Sequence, residues 1–506
     1  MSKILNKIIL TKYGKLEGVE LERGIAWRGI PYARPPINEL RWKCPQPPVA
    51  WTGVRDATRF SPRAIQLPAP VRNFVPTFTG DDPTNLSEDC LYLNVCTPKE
   101  SMESKKSLKP VLLWFHGGGF HYGSGPNMIG DGEIFAQKGI VVVTFNYRLG
   151  AFGFLNLKDI LGKQYSSSAN CGIYDQIAAL KWINENIEDF GGDPNNVTIA
   201  GVSAGAKSVI NLISSPLAKG LFTRAISQSG GEHVIDIDEG ELLTKKFISV
   251  LEEKGINTEN LLEISPQDIL HAQRQLGEGV RATWIWRPTI DGNVLTHPPV
   301  KALNNGAGKD IPLLIGFNCN EAISFDLPDP TATEQVFSIL ESIYGKGRAS
   351  EIIELYAKNR PGATMRKVLQ DIMTDERYRI PTVRIADAQS KHAQVWMYRF
   401  DGPTPGWDPT SYGGHGAECP LVWNIGINKE DYEISNFANQ IQEAWAAFIH
   451  GEKPNSQGLP FWNQYELTKR LTMILDVTSK IENDPNGLER ELWEGLYWNS
   501  GTWWSL

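Results

Sequence analysis

A chain of 506 residues, 41% hydrophobic and 21% charged, has ample apolar material for a large core and is neither disordered nor repetitive in composition. Its formal net charge of −8 gives no reason to expect nucleic acid or an anionic membrane surface as a partner. No stretch approaches the roughly 20 apolar residues needed to span a bilayer, and Cys44, Cys90, Cys96, Cys171, Cys319 and Cys419 form no C-x-x-C pair, which argues against a zinc site or a disulfide framework.

In chain order, the opening "MSKILNKIILTKYGKLEG" is too interrupted by Lys and Asn for a signal peptide, so a cytoplasmic protein with free thiols is expected. "IILTKYGKLEGVEL" alternates and turns at Tyr13-Gly14, which predicts short N-terminal antiparallel strands. Residues 67–89, rich in Pro, Thr and Asp, read as a surface loop. "PVLLWFHGGG" (110–119) is a buried strand running into glycines, and "GIVVVTFNY" (139–147) is a second strand. In 174–192, Ile177, Leu180, Ile183 and Ile187 recur at helical spacing up to Gly191-Gly192. Further strands are expected at "NVTIAG", "RAISQSG", 311–318, 393–400 and 471–476.

Apolar strands separated by helices predict an α/β protein with a mostly parallel sheet covered on both faces. The helical stretches within roughly 232–390 predict a cap-like insertion, as the 67–89 loop is another. Neither has linker composition, so a single domain over 1–506 is expected.

Residues 201–205 read Gly-Val-Ser-Ala-Gly, a G-x-S-x-G pentapeptide. With 47 glycines present, chance alone supplies this pattern in about a quarter of such chains. Its setting is more informative. A β-branched strand (Val197-Thr198-Ile199-Ala200) precedes it, and Val209, Leu212 and Ile213 follow at helical spacing. Strand, tight turn and helix are what a nucleophile elbow requires, with small flanking residues where chain meets chain. Ser203 is therefore a candidate nucleophile, against a capping serine on a Gly-rich turn.

A nucleophilic serine needs donors for the developing oxyanion. "FHGGGF" (115–120) ends an apolar strand and predicts Gly118 and Gly119, with Ala204, as the backbone donors. A phosphate-binding loop is excluded by spacing, and His116 reads as structural. Among eight histidines, His415 in the Gly-rich "SYGGHGAECP" is the best base, ahead of His297, His392 and His450. The acid should lie between serine and histidine. Glu321, just beyond the strand in "IPLLIGFNCNEAISF", is one candidate, with Asp326 and Asp291 as rivals.

These residues together resemble the type-B carboxylesterases, an α/β-hydrolase family that includes para-nitrobenzyl esterases, liver carboxylesterases and cholinesterases. The likeness runs nearly end to end, through "WRGIPYARPP" (27–36), "SEDCLYLNV" (87–95), "FHGGGF", "FNYRLGAFGFL" (145–155), 172–205, "LFTRAISQSG" (221–230), "RPTIDGNVL" (287–295), "GFNCNEAISF" and "GGHGAE". The resemblance implies the α/β-hydrolase fold and a serine carboxylesterase acting on small-molecule esters without cofactor or metal. It implies Ser203, Glu321 and His415 as triad, Gly118, Gly119 and Ala204 as oxyanion donors, and Ser229 as a buried support, for which an ordinary core serine is the equal alternative. Phe120, Val202, Trp284, Phe325 and Trp423 are candidate pocket walls, although the four rings suit core packing equally well.

The departures from the family pattern carry information. The family usually has Glu where this chain has Val202, which argues against a cationic substrate and for uncharged esters. Cys90 matches a cysteine paired in secreted members, but the partner position is Ala64, so the chain resembles bacterial intracellular members. Lys207, on the helix behind the elbow, has no role in the pattern. A binding protein on the same fold would lack part of the triad, and an interfacial lipase would favour an apolar lid where 67–89 is polar. Small to medium soluble esters are therefore expected, on a monomer or small homo-oligomer.

Overall fold

A computed structural model describes residues 7–69, 82–103, 107–277, 282–326, 328 and 330–496. Among them, eleven strands join one sheet: β1 (Val19–Glu20), β2 (Gly24–Pro31), β3 (Tyr92–Pro98), β4 (Lys109–Phe115), β5 (Val141–Phe145), β6 (Gly192–Val202), β7 (Arg224–Gln228), β8 (Leu313–Asn318), β9 (Val395–Phe400), β10 (Leu471–Leu475) and β11 (Lys480–Asn483). Their spatial order is β11-β10-β9-β8-β7-β6-β4-β5-β3-β2-β1. Every pairing from β5 across to β10 is parallel. The edges are antiparallel, through β1–β2–β3–β5 on one side and β10–β11 on the other. This is the α/β-hydrolase fold.

The parallel strands are apolar throughout because both faces are covered. Alternate residues feed two cores. Val111, Leu113, Val141, Val143, Val197, Ile199 and Ile315 enter one, and Leu112, Trp114, Val142, Ala200, Leu314 and Trp396 enter the other. Helix α1 (Cys171–Asn186), with its 3-10 extension Ile187–Phe190, covers part of the first face and stops at Gly191, whose φ of 79° only glycine adopts without strain. Helix α2 (Ala204–Ser214) follows β6 directly and is buried along its whole length.

Three strands of the sheet, β2, β3 and β11, escape the sequence reading. β2 contains Gly29 at φ 63° and a register shift between Trp27 and Ile30, which interrupts the period-2 pattern. β3 is nearly all buried, so it shows no alternation either. The N-terminal hairpin forms as expected, Ile8–Thr11 with Gly14–Glu17, but in a separate three-stranded sheet with Val54–Asp56. Of the 67–89 loop, 70–81 lie outside the described residues. Within 232–390, helices Ile237–Glu253, Pro266–Leu276, Val336–Tyr344, Lys346–Lys358, Met365–Thr374 and Ile380–Gln389 flank β8. Among the described residues, no helix is long and apolar enough to cross a membrane.

Candidate active site

The C-terminal ends of adjacent parallel strands are where an open α/β sheet offers loops to a ligand. Here β4 ends at Phe115 before the glycine loop, β6 at Val202 before Ser203, β7 at Gln228 before Ser229, and β8 at Asn318 before Glu321. His415 lies in the connection that follows β9. The register aligns these ends, with Gly201 beside Phe115, Val202 beside Gln228, and Gln228 beside Gly316.

Ser203 takes φ 57° and ψ −121° between β6 and α2. For a residue with a side chain, such a conformation costs about 1–3 kcal/mol, and here its N–H bond to Gln228 O at 2.9 Å helps to hold it. The turn needs its glycines. A Cβ on Gly205 would fall 2.0 Å from the Phe115 carbonyl oxygen, and one on Gly201 would fall 2.6 Å from Gly205 C. In the loop after β4, Gly118 and Gly119 have φ 110° and 59°. The N–H groups of Gly118, Gly119 and Ala204 donate to no acceptor among the described residues. Ala204 is the first residue of α2, whose N–H has no partner within the helix. His116 supports the same loop: it stacks on Tyr147 with centroids 4.3 Å apart and donates from Nδ1 to Gly117 O at 2.8 Å. Burial pushes its pKa down to about 4, so it is neutral at pH 7.

Glu321 is fully buried and accepts three hydrogen bonds. The His415 Nδ1–H donates to Oε2 at 2.6 Å, and Ser229 Oγ and the Asn318 N–H donate to Oε1 at 2.5 and 2.8 Å. Three donors suit an ionised carboxylate and fix the Nδ1–H tautomer of the imidazole. Nε2 is buried with no hydrogen-bond partner among the described residues. It is not bonded to Ser203, a looseness common in unliganded hydrolases. The His415 N–H is pinned to Ser324 Oγ at 2.9 Å. The rival acids are occupied elsewhere: Asp326 holds Arg366, and Asp291 caps a turn and holds Asn170. His392 and His450 bond backbone carbonyls at the surface, and among the described residues His297 bonds only its neighbour Thr296.

Several supporting residues carry little sequence signal. Glu418 is buried, accepts from Asn318 Nδ2 at 2.7 Å and Gln228 Nε2 at 3.1 Å, and so ties the His415 loop to the ends of β7 and β8. Burial and then the Glu321 carboxylate push its pKa up. It closes the motif "GGHGAE", the one hint that could have found it. Tyr378 sits in a π-helical turn, Asp375–Arg379, with its ring 4.6 Å from that of His415. Nothing local in the sequence marks it.

Of the candidate walls, Phe325 packs 5.1 Å from His415 and 5.9 Å from Trp284, whose ring is 5.2 Å from His233. Phe120, at φ 61°, stacks on His233 at 6.3 Å. Phe120, Trp284 and Phe325 thus belong to one aromatic cluster with His415. Trp423 does not: it lies edge-on to Trp114 and Phe135 at 5.0 Å, in the core on the other face, because its helix packs there. Val202 joins that second core as well. All six cysteines are free, Cys90 included.

Comparison with known proteins identifies the family. The model of the carboxylesterase family matches residues 5–493. The para-nitrobenzyl esterase of Bacillus subtilis (strain 168) is 37% identical over 96% of this chain and 98% of its own. The fumonisin B1 esterase of Sphingopyxis macrogoltabida is 35% identical over 90% of this chain and 84% of its own. A solved carboxylesterase of Geobacillus stearothermophilus, 37% identical, superimposes with a TM-score of 0.85 over 97% of this chain and all of that one. The chain belongs to the carboxylesterase family and is an α/β-hydrolase that acts on carboxylic esters.

Proposed function

We propose that the chain hydrolyses small to medium soluble esters through an acyl-enzyme built on Ser203, Glu321 and His415. The observation that carries this reading is the 2.6 Å bond from His415 Nδ1–H to the buried Glu321 carboxylate, which leaves Nε2 as the only ring nitrogen able to take a proton. Nε2 takes the Ser203 hydroxyl proton as Oγ bonds to the ester carbonyl carbon. The N–H groups of Gly118, Gly119 and Ala204 stabilise the oxyanion. The C–O bond to the alcohol then breaks, and the alcohol leaves with the proton held on Nε2. Water repeats the sequence on the acyl-enzyme, releasing the acid and restoring Ser203. Glu321 holds the imidazole and stabilises its charged form. Six free thiols suit a reducing cytoplasm.

The test is hydrolysis of p-nitrophenyl esters from acetate upward by wild type and Ser203→Ala. The wild type favours short acyl chains, and the variant loses about 10⁴-fold or more in kcat. A variant with wild-type kcat overturns the nucleophile assignment. A wild type inert on every ester overturns the reaction.

A further inference from the structure

Lys207 lies one turn after Ser203 on α2, its N–H bonded to Ser203 O at 2.9 Å. The two Cα atoms are therefore about 6 Å apart along the helix axis. The side chain is only 3% exposed. Its ammonium lies 4.3 Å from the centre of the Trp284 ring and 5.4 Å from that of Tyr378. These rings, with Phe325, form the cluster that packs on His415.

Among the described residues, Nζ has no hydrogen bond and no ion pair, only the two ring faces. Two carboxylates act on it from a distance without pairing with it: Glu321, bonded to His415, and Glu376, 3.9 Å from Arg377. The Arg377 guanidinium lies 4.5 Å from the centre of the Trp284 ring, and Arg287, paired with Glu239, adds to the positive potential. Burial first, then Arg377, holds the Lys207 pKa down to about 7. Ring faces return less than the hydration a buried ammonium gives up, so a cation kept here wants an anion.

We propose that Lys207 is a specificity-determining residue that receives a carboxylate carried by the ester substrate at a distance from the reacting carbonyl. The substrate class is a half-ester of a short dicarboxylic acid or an ester of a carboxylate-bearing alcohol. The reacting ester itself is neutral, and the expectation of wholly uncharged substrates is narrowed to that reacting group. The inference rests on the assignment of Ser203, Glu321 and His415 above.

The experiment measures kcat/KM for size-matched pairs in wild type, Lys207→Met and Lys207→Arg. In the acyl arm, mono-p-nitrophenyl glutarate is compared with p-nitrophenyl valerate. In the alcohol arm, 4-acetoxybenzoate is compared with p-tolyl acetate. In one arm the wild type handles the anionic ester at least as well as its neutral match. Lys207→Met lowers that ratio ten-fold or more, mainly through KM, and Lys207→Arg restores part of it. The arm that responds identifies which side bears the carboxylate. A ratio unmoved by Lys207→Met in both arms, with neutral esters still turned over, overturns the proposal alone. No turnover of any ester by wild type overturns the serine-esterase reading with it. A measurement free of variants uses glutaramate and glutaramide as inhibitors of neutral-ester hydrolysis. A Ki at least ten-fold lower for glutaramate supports the site, and equal values sink it.

Discussion

Phe120, Ser203 and Ser229 each hold a left-handed backbone just beyond neighbouring strands, at φ 61°, 57° and 56°. Strain concentrated at one end of a sheet is what a preorganised site stores. Ser229 uses it to aim Oγ at Glu321, while its N–H is fixed on Gly316 O at 2.8 Å. Lys207 is a second kind of stored cost. Its folded pKa of about 7 lies below the ordinary 10.5, so between these values the unfolded chain holds a proton that the folded one lacks. Stability therefore rises with pH through that window, and below pH 7 the burial penalty is fully present. Arg377 and Arg287 enlarge the penalty, while Glu376 and Glu321 offset part of it. Lys207→Met is expected to stabilise the fold by about 1–4 kcal/mol below pH 7, with the gain shrinking toward pH 10.5. Thermal unfolding across this range checks it, and a gain that grows with pH would contradict the assignment.

At the scale of elements, the site depends on how closely α2 approaches β4. A Cβ on Gly205 would collide with the Phe115 carbonyl, and the strand and helix would have to part. Gly205→Ala is therefore expected to cost about 1–3 kcal/mol or more and to lower activity by displacing Ala204 and the glycine loop together. Gly347, early in helix Lys346–Lys358, has nothing within 4 Å of its Cβ direction. Gly347→Ala is expected to be neutral or to stabilise by about 0.5–1 kcal/mol. Melting temperatures and ester turnover of the two variants make the comparison, and equal behaviour would refute the packing argument. The elbow was legible in the sequence because strand, glycines and helix are contiguous there. The π-helical turn carrying Tyr378 was not, because its position over His415 comes from a helix packing across the chain rather than from a local pattern.

Across the whole molecule, one buried ion pair ties the sheet to its covering helix. Arg148, just after β5, donates from Nε and a terminal nitrogen to Asp175 of α1 at 2.8 and 2.7 Å, and its N–H reaches the same carboxylate at 3.0 Å. Both side chains are nearly inaccessible. Removing one partner strands the other charge in the core, so Asp175→Asn is expected to cost about 3–5 kcal/mol. Urea unfolding reads this directly, and an unchanged midpoint would show the pair to be dispensable. Neither residue drew notice in the sequence, since 27 residues separate them and only the docking of α1 on the sheet brings them together.

The sequence by itself determined the local pieces. Apolar runs specified the central parallel strands, glycines marked where chain must pass chain, and the order serine, acidic residue, histidine followed the α/β-hydrolase pattern. What it left open were relations between distant segments: which of Glu321, Asp326 and Asp291 meets His415, which aromatic rings share a cluster with it, and what surrounds Lys207. Family resemblance favoured Glu321, but only the tertiary structure put that carboxylate 2.6 Å from the imidazole and tied Asp326 to Arg366. It also sent Trp423 to the opposite core and Lys207 under Trp284. The physical reason is one of range. Propensity, periodicity and turn chemistry act over a few residues, whereas the field and packing at a site are set by side chains that the sheet register and the covering helices bring together from hundreds of positions apart.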